Sequence, residues 1–271
     1  MMPILRPGVA LINNGTAPVQ IPKATLLCQA LVLLMALSFG LSSALAQDQK
    51  DSEVLRAKSA FTGKSLAQIS LTLATQRPEQ VSLSDKAILT RELPLLNDHN
   101  RVKDDRQVAR LYARAEATLK FFHRYGVVDL ILFRHPQPIV YNKPGVVLVI
   151  STEVLKIVGN DEAALAGLLG HELAHEYVAL QMLHALRSGD LSKIRELELF
   201  CDAVAVVVLL NLGLDPAHYG RALERIVTHS QAARVLNDGS GSHPTMGARL
   251  KVISDISNLL RSRATFAQSR Q

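Results

Sequence analysis

A chain of 271 residues is long enough for one large core or two small ones, and 48% hydrophobic residues can fill it. Tryptophan is absent and aromatics are 4%, so the core must be mostly aliphatic. The formal charge of +6 contains no dense Lys/Arg block, which argues against nucleic acid as a partner.

Residues 24–46 form an uncharged apolar run, preceded by Lys23 and ended by small residues at Ala44 and Ala46. Polar Gln47 to Lys50 follow. This layout predicts a signal peptide over residues 1–46, cleaved after Ala46, and a periplasmic or otherwise exported protein. The run is also close to spanning length, so the alternative is an inner-membrane anchor formed by residues 24–46. Cleavage removes Cys28 and leaves Cys201 alone, with no intramolecular disulfide to form. Export without disulfides suits a bacterial periplasm.

Residues 47–104 read as an N-terminal extension of uncertain order. Ser59 to Gln80 is rich in Ser, Thr and Gln, and Ser84 to Leu96 reads as a short helix capped by Ser84 and disturbed at Pro94. From residue 105 to 271 the pattern sharpens into one domain. Val108, Leu111, Tyr112, Ala115, Leu119 and Phe122 fall at helical spacing, with Asp104 and Asp105 at the start and Gly126 at the end. Val127 to Phe133 reads as a strand. Ile139 to Tyr141 and Val146 to Ile150 read as a hairpin about Asn142-Lys143-Pro144-Gly145. Asn160-Asp161 caps a helix from Glu162 to Leu186, and Ser188-Gly189-Asp190 turns the chain into a second, Val/Leu-rich helix from Ser192 to Leu212. Helices over Ala217–Thr228 and Met246–Arg261 follow, separated by a flexible loop, Asn237 to Ser242. The elements predict an α+β class, mostly helical, with a small β-sheet beside the helix that starts at Glu162.

That helix carries His171-Glu172-Leu173-Ala174-His175, a His-Glu-x-x-His pattern. At 3.6 residues per turn the two imidazoles stand one turn apart on one face and can share one metal ion. Glu172 lies about 100° round the helix, where its carboxylate can take a proton from a water beside the metal. This is the zinc-hydrolase signature. A catalytic zinc normally has three protein ligands. The best third ligand is Glu198, because Asp202 lies one turn on along the same face and can orient a ligand histidine from behind. Two acids on an otherwise apolar helix are costly to bury without such partners. The competing Glu196 faces about 200° away and is expected to meet solvent, Arg195 or Lys193. Cys201 reads as a small core residue, and His99, His123, His135, His184 and His229 show no metal spacing with the motif.

The Glu-x-x-x-Asp spacing from Glu198 to Asp202 resembles that of the gluzincins, and more closely that of the HtpX- and BepA-like zinc endopeptidases, family 48 of the metallopeptidases. Pro144-Gly145 with apolar Val146 to Ile150 resembles the strand ahead of that family's catalytic helix. Glu198-Leu199-Phe200-Cys201-Asp202 resembles its Glu-x-x-Ala-Asp, with Cys201 in the Ala place. Ser242-His243-Pro244 with Arg249 resembles its late Thr-His-Pro…Arg motif. The resemblance spans about residues 105–261.

The resemblance implies a zincin-like metalloprotease domain with one Zn2+ on His171, His175 and Glu198, Glu172 as general base and Asp202 behind the ligands. It also implies that His243 and Arg249 lie near the site. The expected activity is endopeptidase cleavage of exported or misfolded proteins in the cell envelope. Its substrates are polypeptides, and membrane or outer-membrane assembly proteins are candidate partners. His243 is the first candidate to donate to the developing oxyanion, or else to block the metal in a resting state. Tyr219 and His218 come next. Val146, Val147 and Leu148 are candidates for an edge strand to which an extended substrate adds, with an ordinary core strand as the equal alternative, and Arg249 is a candidate for a further substrate contact. Two other classes stay open: a catalytically inactive zinc-binding chaperone or adaptor, and a non-peptidase metallohydrolase.

Overall fold

The computed structural model describes residues 51–75, 99–229 and 241–268. The expected signal segment 1–46, the helix expected over Ser84–Leu96 and loop residues 237–240 lie outside the described residues. Ten elements follow one another after an initial helix at 51–59 (α1). They are α2 (Leu66–Thr75), α3 (Asp105–Phe121), β1 (Asp129–Phe133), β2 (Val140–Lys143), β3 (Val147–Ser151), α4 (Thr152–Val158), α5 (Glu162–Ser188), α6 (Leu191–Asn211), α7 (Ala217–His229) and α8 (Met246–Gln268). The protein is mostly helical with a three-stranded sheet, the α+β class expected. Among the described residues, no helix is long and apolar enough to cross a membrane.

α6 is the centre of the core. From Cys201 to Leu209 every residue is buried. A run of valines is an indifferent helix former, costing at most about 0.7 kcal/mol per residue. Burying each Val or Leu side chain returns about 1.5–3 kcal/mol, so packing decides the conformation. The same gain offsets the several kcal/mol of taking Glu198 and Asp202, on the same helix, out of water. α5 packs most extensively against α6. Its start is fixed by Asp161, whose carboxylate accepts the Ala164 N–H, and its end by Gly189 in the left-handed conformation. Two of its glycines permit close approach. A Cβ on Gly170 would lie 3.3 Å from the Ala205 Cα, and one on Gly167 would lie 2.6 Å from the Tyr219 ring.

The sheet order is β1-β3-β2, with β1 parallel and β2 antiparallel to β3. The outer side of β1 is partly covered by Asn100–Val102, where the Val102 N–H donates to Leu132 O and the Arg134 N–H to Asn100 O. This corrects the edge-strand reading of Val146, Val147 and Leu148. β3 is the central strand, Val147 and Leu148 in it and Val146 just before it are fully buried, and its ladder positions are taken on both sides. An uninterrupted apolar run marks a strand buried on both faces. Among the described residues the open edge belongs to β2, which lies against α5.

The start of the expected extension is part of the domain. Val54, Ala57, Phe61, Ile69 and Leu73 enter the main core, and Phe61 stacks against Phe200 of α6 at 5.4 Å. Tyr177 of α5 donates to the Leu73 carbonyl, 3.0 Å away.

Candidate metal centre

α5 and α6 lie side by side, so His171 and His175 on one face Glu198 on the other. One ligand atom from each of the three lies within 4.8 Å of the others, and the group could hold a metal ion. The Glu198 carboxylate is 3.4 Å from His171 Nε2 and 3.7 Å from His175 Nε2. Strong N–H···O bonds centre near 2.9 Å, so these contacts are too long to be the carboxylate's best partners. They are close to the edge of a tetrahedron built on zinc–ligand bonds of about 2.0–2.1 Å, roughly 3.3 Å. Two imidazoles and one carboxylate are also a donor set that catalytic zinc uses. The residues fit the ion.

Asp202 stands behind the ligands with no exposed surface, and four bonds converge on it. His171 Nδ1 lies 2.8 Å away and the Tyr219 hydroxyl donates at 2.6 Å. Arg249 donates from Nε at 2.8 Å and from Nη2 at 2.6 Å. With Nδ1–H donated to Asp202, His171 presents Nε2 towards Glu198 and the metal position. Burial pulls the His171 pKa down, but the Asp202 carboxylate outweighs it and holds the value up at about 10. Burial and the neighbouring His171 charge push His175 down to about 4. Burial raises the carboxyl of Asp202 too, yet the Arg249 guanidinium and His171 keep it well below the usual carboxylate range. Glu198 is likewise lowered despite burial, through His171 and His243. Glu172, between them, is pushed up by burial to about 7, near where a general base is useful.

The remaining expected residues sort as follows. His243 reaches the cluster: its Nδ1 is 3.7 Å from Glu198, and its side chain is 39% exposed at the mouth. Arg249 lies at the site and lines the cleft. It is 8% exposed, and its Nε and Nη2 are committed to Asp202. Tyr219 is wholly buried and donates to Asp202, and His218 binds Asp161 at the cap of α5 at 2.8 Å. Neither is placed as an oxyanion donor. Glu196 pairs with Arg56 and Lys193, at 2.7 and 2.6 Å.

Two functional contacts escaped the sequence. Cys201 is buried as expected, but its Sγ stands 3.6 Å from His175 Nδ1. A neutral His175 that offers Nε2 to a metal carries its proton on Nδ1, facing that sulfur. Burial keeps the Cys201 thiol protonated, well above its ordinary range. Glu176, the residue after the second histidine, is a buried tie. It accepts from Arg124 Nε at 2.7 Å and from the Gly145 N–H at 3.0 Å. Asn142 adds a bond from Nδ2 to the Glu172 carbonyl at 2.9 Å. The β2–β3 turn is thereby clamped to the helix that carries the histidines.

A cleft of about 850 Å³ opens over the cluster. β2 forms one wall with Val140, Tyr141 and Asn142. Beyond His175 the floor and far wall are apolar, with Met182, Leu183 and Leu186 of α5 and Leu223, Ile226 and Val227 of α7. Leu183 and Leu186 are 43% and 57% exposed.

Neither a family model nor a curated protein matches this chain.

Proposed function

We propose that the protein is a zinc-dependent endopeptidase with a zincin-like site, acting on unfolded or partly unfolded polypeptide. The observation that carries the reading is the buried His171–His175–Glu198 group with Glu172 beside it, a complete set of ligands and base in one cleft. The resemblance of the motifs to the HtpX- and BepA-like peptidases supports the same reading.

His171, His175 and Glu198 would hold the ion, with Asp202 fixing the His171 tautomer. Zinc bound there supplies Lewis-acid polarisation of a carbonyl and acidifies a water. Glu172 accepts the proton of the attacking water and returns it to the leaving amine. Burial raises its pKa to about 7, in the range where a carboxylate works as a general base near neutral pH. His243, part-exposed at the mouth and 3.7 Å from Glu198, would donate to the charge that develops on the peptide oxygen. The open edge of β2 offers backbone pairing to an extended chain. The apolar walls past His175 suit large aliphatic or aromatic side chains, which unfolded proteins expose. Action in the cell envelope, and association there with membrane or outer-membrane assembly proteins, belongs to this proposal through the layout of residues 1–46 and the family resemblance.

The test is metal analysis and casein cleavage by the purified protein, wild type against Glu172→Gln and Glu198→Ala. The reading expects about one zinc per chain, loss of cleavage with zinc retained in Glu172→Gln, and loss of both in Glu198→Ala. Wild type that binds no zinc, or Glu172→Gln that cleaves casein at the wild-type rate, overturns it. The apolar cleft also fits a zinc-binding chaperone without catalysis. That second reading gains if aggregation of unfolded protein is suppressed equally by wild type and Glu172→Gln.

A further inference from the structure

Glu53 of α1 is 1% exposed, and its carboxylate receives Arg195 from α6. Arg195 Nε lies 3.1 and 3.2 Å from its two oxygens, Arg195 Nη2 lies 2.8 Å away, and the Ser192 hydroxyl donates at 3.0 Å. Arg195 is itself 9% exposed and sits one turn before Glu198 on the same helix. Its third nitrogen, Nη1, donates to the Gly241 carbonyl at 3.1 Å. Two residues further on stands His243, 3.7 Å from the Glu198 carboxylate. The other end of this stretch is fixed by the start of α8, where Thr245 Oγ1 accepts the Ala248 N–H. Among the described residues, the Arg195–Gly241 bond is the hydrogen bond that ties the near end of the stretch to the helices.

One planar guanidinium therefore touches both the N-terminal helix and the segment that presents His243. The guanidinium is rigid, so fixing Nε and Nη2 on Glu53 also fixes the direction of Nη1. A Glu53–Arg195 pair that only docked α1 would not need the third bond. α1 already holds by Val54, Ala57 and Phe61 in the core and by Arg56 on Glu196.

We propose that Glu53 and Arg195 are positioning residues for His243, so that residues 51–59 form a working part of the site. The catalytic half of this proposal rests on the peptidase reading, and its structural half does not. Loss of the Glu53 charge frees the guanidinium, loosens Gly241 and lets the His243 ring leave its place beside Glu198. A misplacement of about 1 Å in a group that meets the reaction costs up to roughly a hundredfold in rate.

The experiment uses the full chain with Glu53→Gln, Arg195→Lys and Glu53→Asp, each alone and combined with His243→Ala. Arg195→Lys keeps an ion pair with Glu53, but a single ammonium cannot also reach the Gly241 carbonyl in the same geometry. It carries the test if Glu53→Gln does not fold. The first readout is amide hydrogen exchange in the metal-free protein. Glu53→Gln and Arg195→Lys are expected to speed exchange over residues 242–248 while α5 and the buried part of α6 keep their protection. Unchanged exchange at 242–248 overturns the proposal, whatever the enzyme does. The second readout is kinetic. Each single variant is expected to lower kcat by about tenfold at similar KM, while in the His243→Ala background the same change costs less than about twofold. Glu53→Asp, which keeps the charge, is expected to recover most of the rate. Multiplicative losses in the double variants would show that Glu53 and Arg195 act independently of His243 and would overturn the assignment. A wild type without zinc or cleavage would instead defeat the peptidase reading and leave the exchange result to judge the positioning.

Discussion

Replacing Asp202 by Asn tests the centre of the site with little change of shape. The carboxylate has no exposed surface and answers four donors: His171 Nδ1, the Tyr219 hydroxyl, and Nε and Nη2 of Arg249. Asn offers one acceptor oxygen and turns an amide donor towards the remaining donors. Arg249, 8% exposed, would keep its charge facing neutral oxygens alone at this point, the Asn amide oxygen and the Tyr219 hydroxyl at 3.2 Å, in place of the carboxylate. Removing one member of a buried pair costs about 3–5 kcal/mol, because the other charge is left uncompensated. Total stabilities are about 5–15 kcal/mol, so the variant should fold with a large part of its margin gone. The expected loss in urea denaturation of the metal-free protein at pH 7 is about 3–4 kcal/mol. Zinc affinity, read by competition with a chromophoric chelator, should fall about 10- to 100-fold as His171 loses its orienting partner. The pH dependence follows from the depressed Asp202 pKa. Its stabilisation is fully present above the unfolded value of 3.8 and is lost as pH falls below it, so the gap between wild type and Asp202→Asn should narrow in acid. Combining Asp202→Asn with Arg249→Gln should cost less than the sum of the two. An Asp202→Asn protein within about 1 kcal/mol of wild type and with unchanged zinc affinity would refute the account of the cluster.

Other consequences can be measured alongside. Metal uptake between pH 8 and 9 should release a proton from His171, which the Asp202 carboxylate holds protonated up to about 10, and none from His175, which at about 4 is already neutral; a water acidified on the ion adds at most one more. Calorimetry in buffers of different ionisation enthalpy counts the protons, and release of none would contradict the assignment. Gly167→Ala places a Cβ 2.6 Å from the Tyr219 ring, so the ring must move and its hydroxyl with it; about 2–4 kcal/mol of stability should be lost in urea titration, with weakened zinc binding. A neutral effect would mean that α5 and α7 can separate freely. Glu176→Gln should leave zinc stoichiometry near one while raising KM for casein severalfold, because Arg124 and the Gly145 N–H lose the charge that clamps the β2 edge. Unchanged KM would separate that edge from substrate binding.

The larger helices were legible because their ends carry local chemistry. Asp104, Asp161 and Asp190 each accept an N–H of the first turn, and Gly189 closes α5. The triad of His171, His175 and Glu198 was legible for the same kind of reason. The histidine spacing is a property of one helix, and two acids on a valine-rich helix demand partners. What depends on tertiary placement was not legible. β3 follows β2 through a short turn, but its parallel partner β1 is fixed only by packing, so central and edge positions were exchanged. α4 begins directly at Thr152, after the last residue of β3, and its Val and Ile residues blur the boundary. Val54, Ala57 and Phe61 do carry helical spacing, a signal that the Ser/Thr-rich surroundings hid. Glu176 and Cys201 bear no metal spacing of their own, and only the fold shows that one holds a turn and the other faces a ligand histidine.

The polar cluster behind the ligands has a consequence for the order of assembly. Asp202 draws its partners from three other helices, and Arg249 and His171 alone are separated by 78 positions. The bonds from His171 and Tyr219 join helices that are neighbours in the chain, but both Arg249 bonds come from α8, so the Asp202 carboxylate gains its buried counter-charge only once α8 has docked. A growing chain that has not yet supplied Arg249 holds a ligand set without its support. The cluster is therefore completed only after the chain through α8 has been made, and a chain that stops short of Arg249 carries the motif without the bonds that support it.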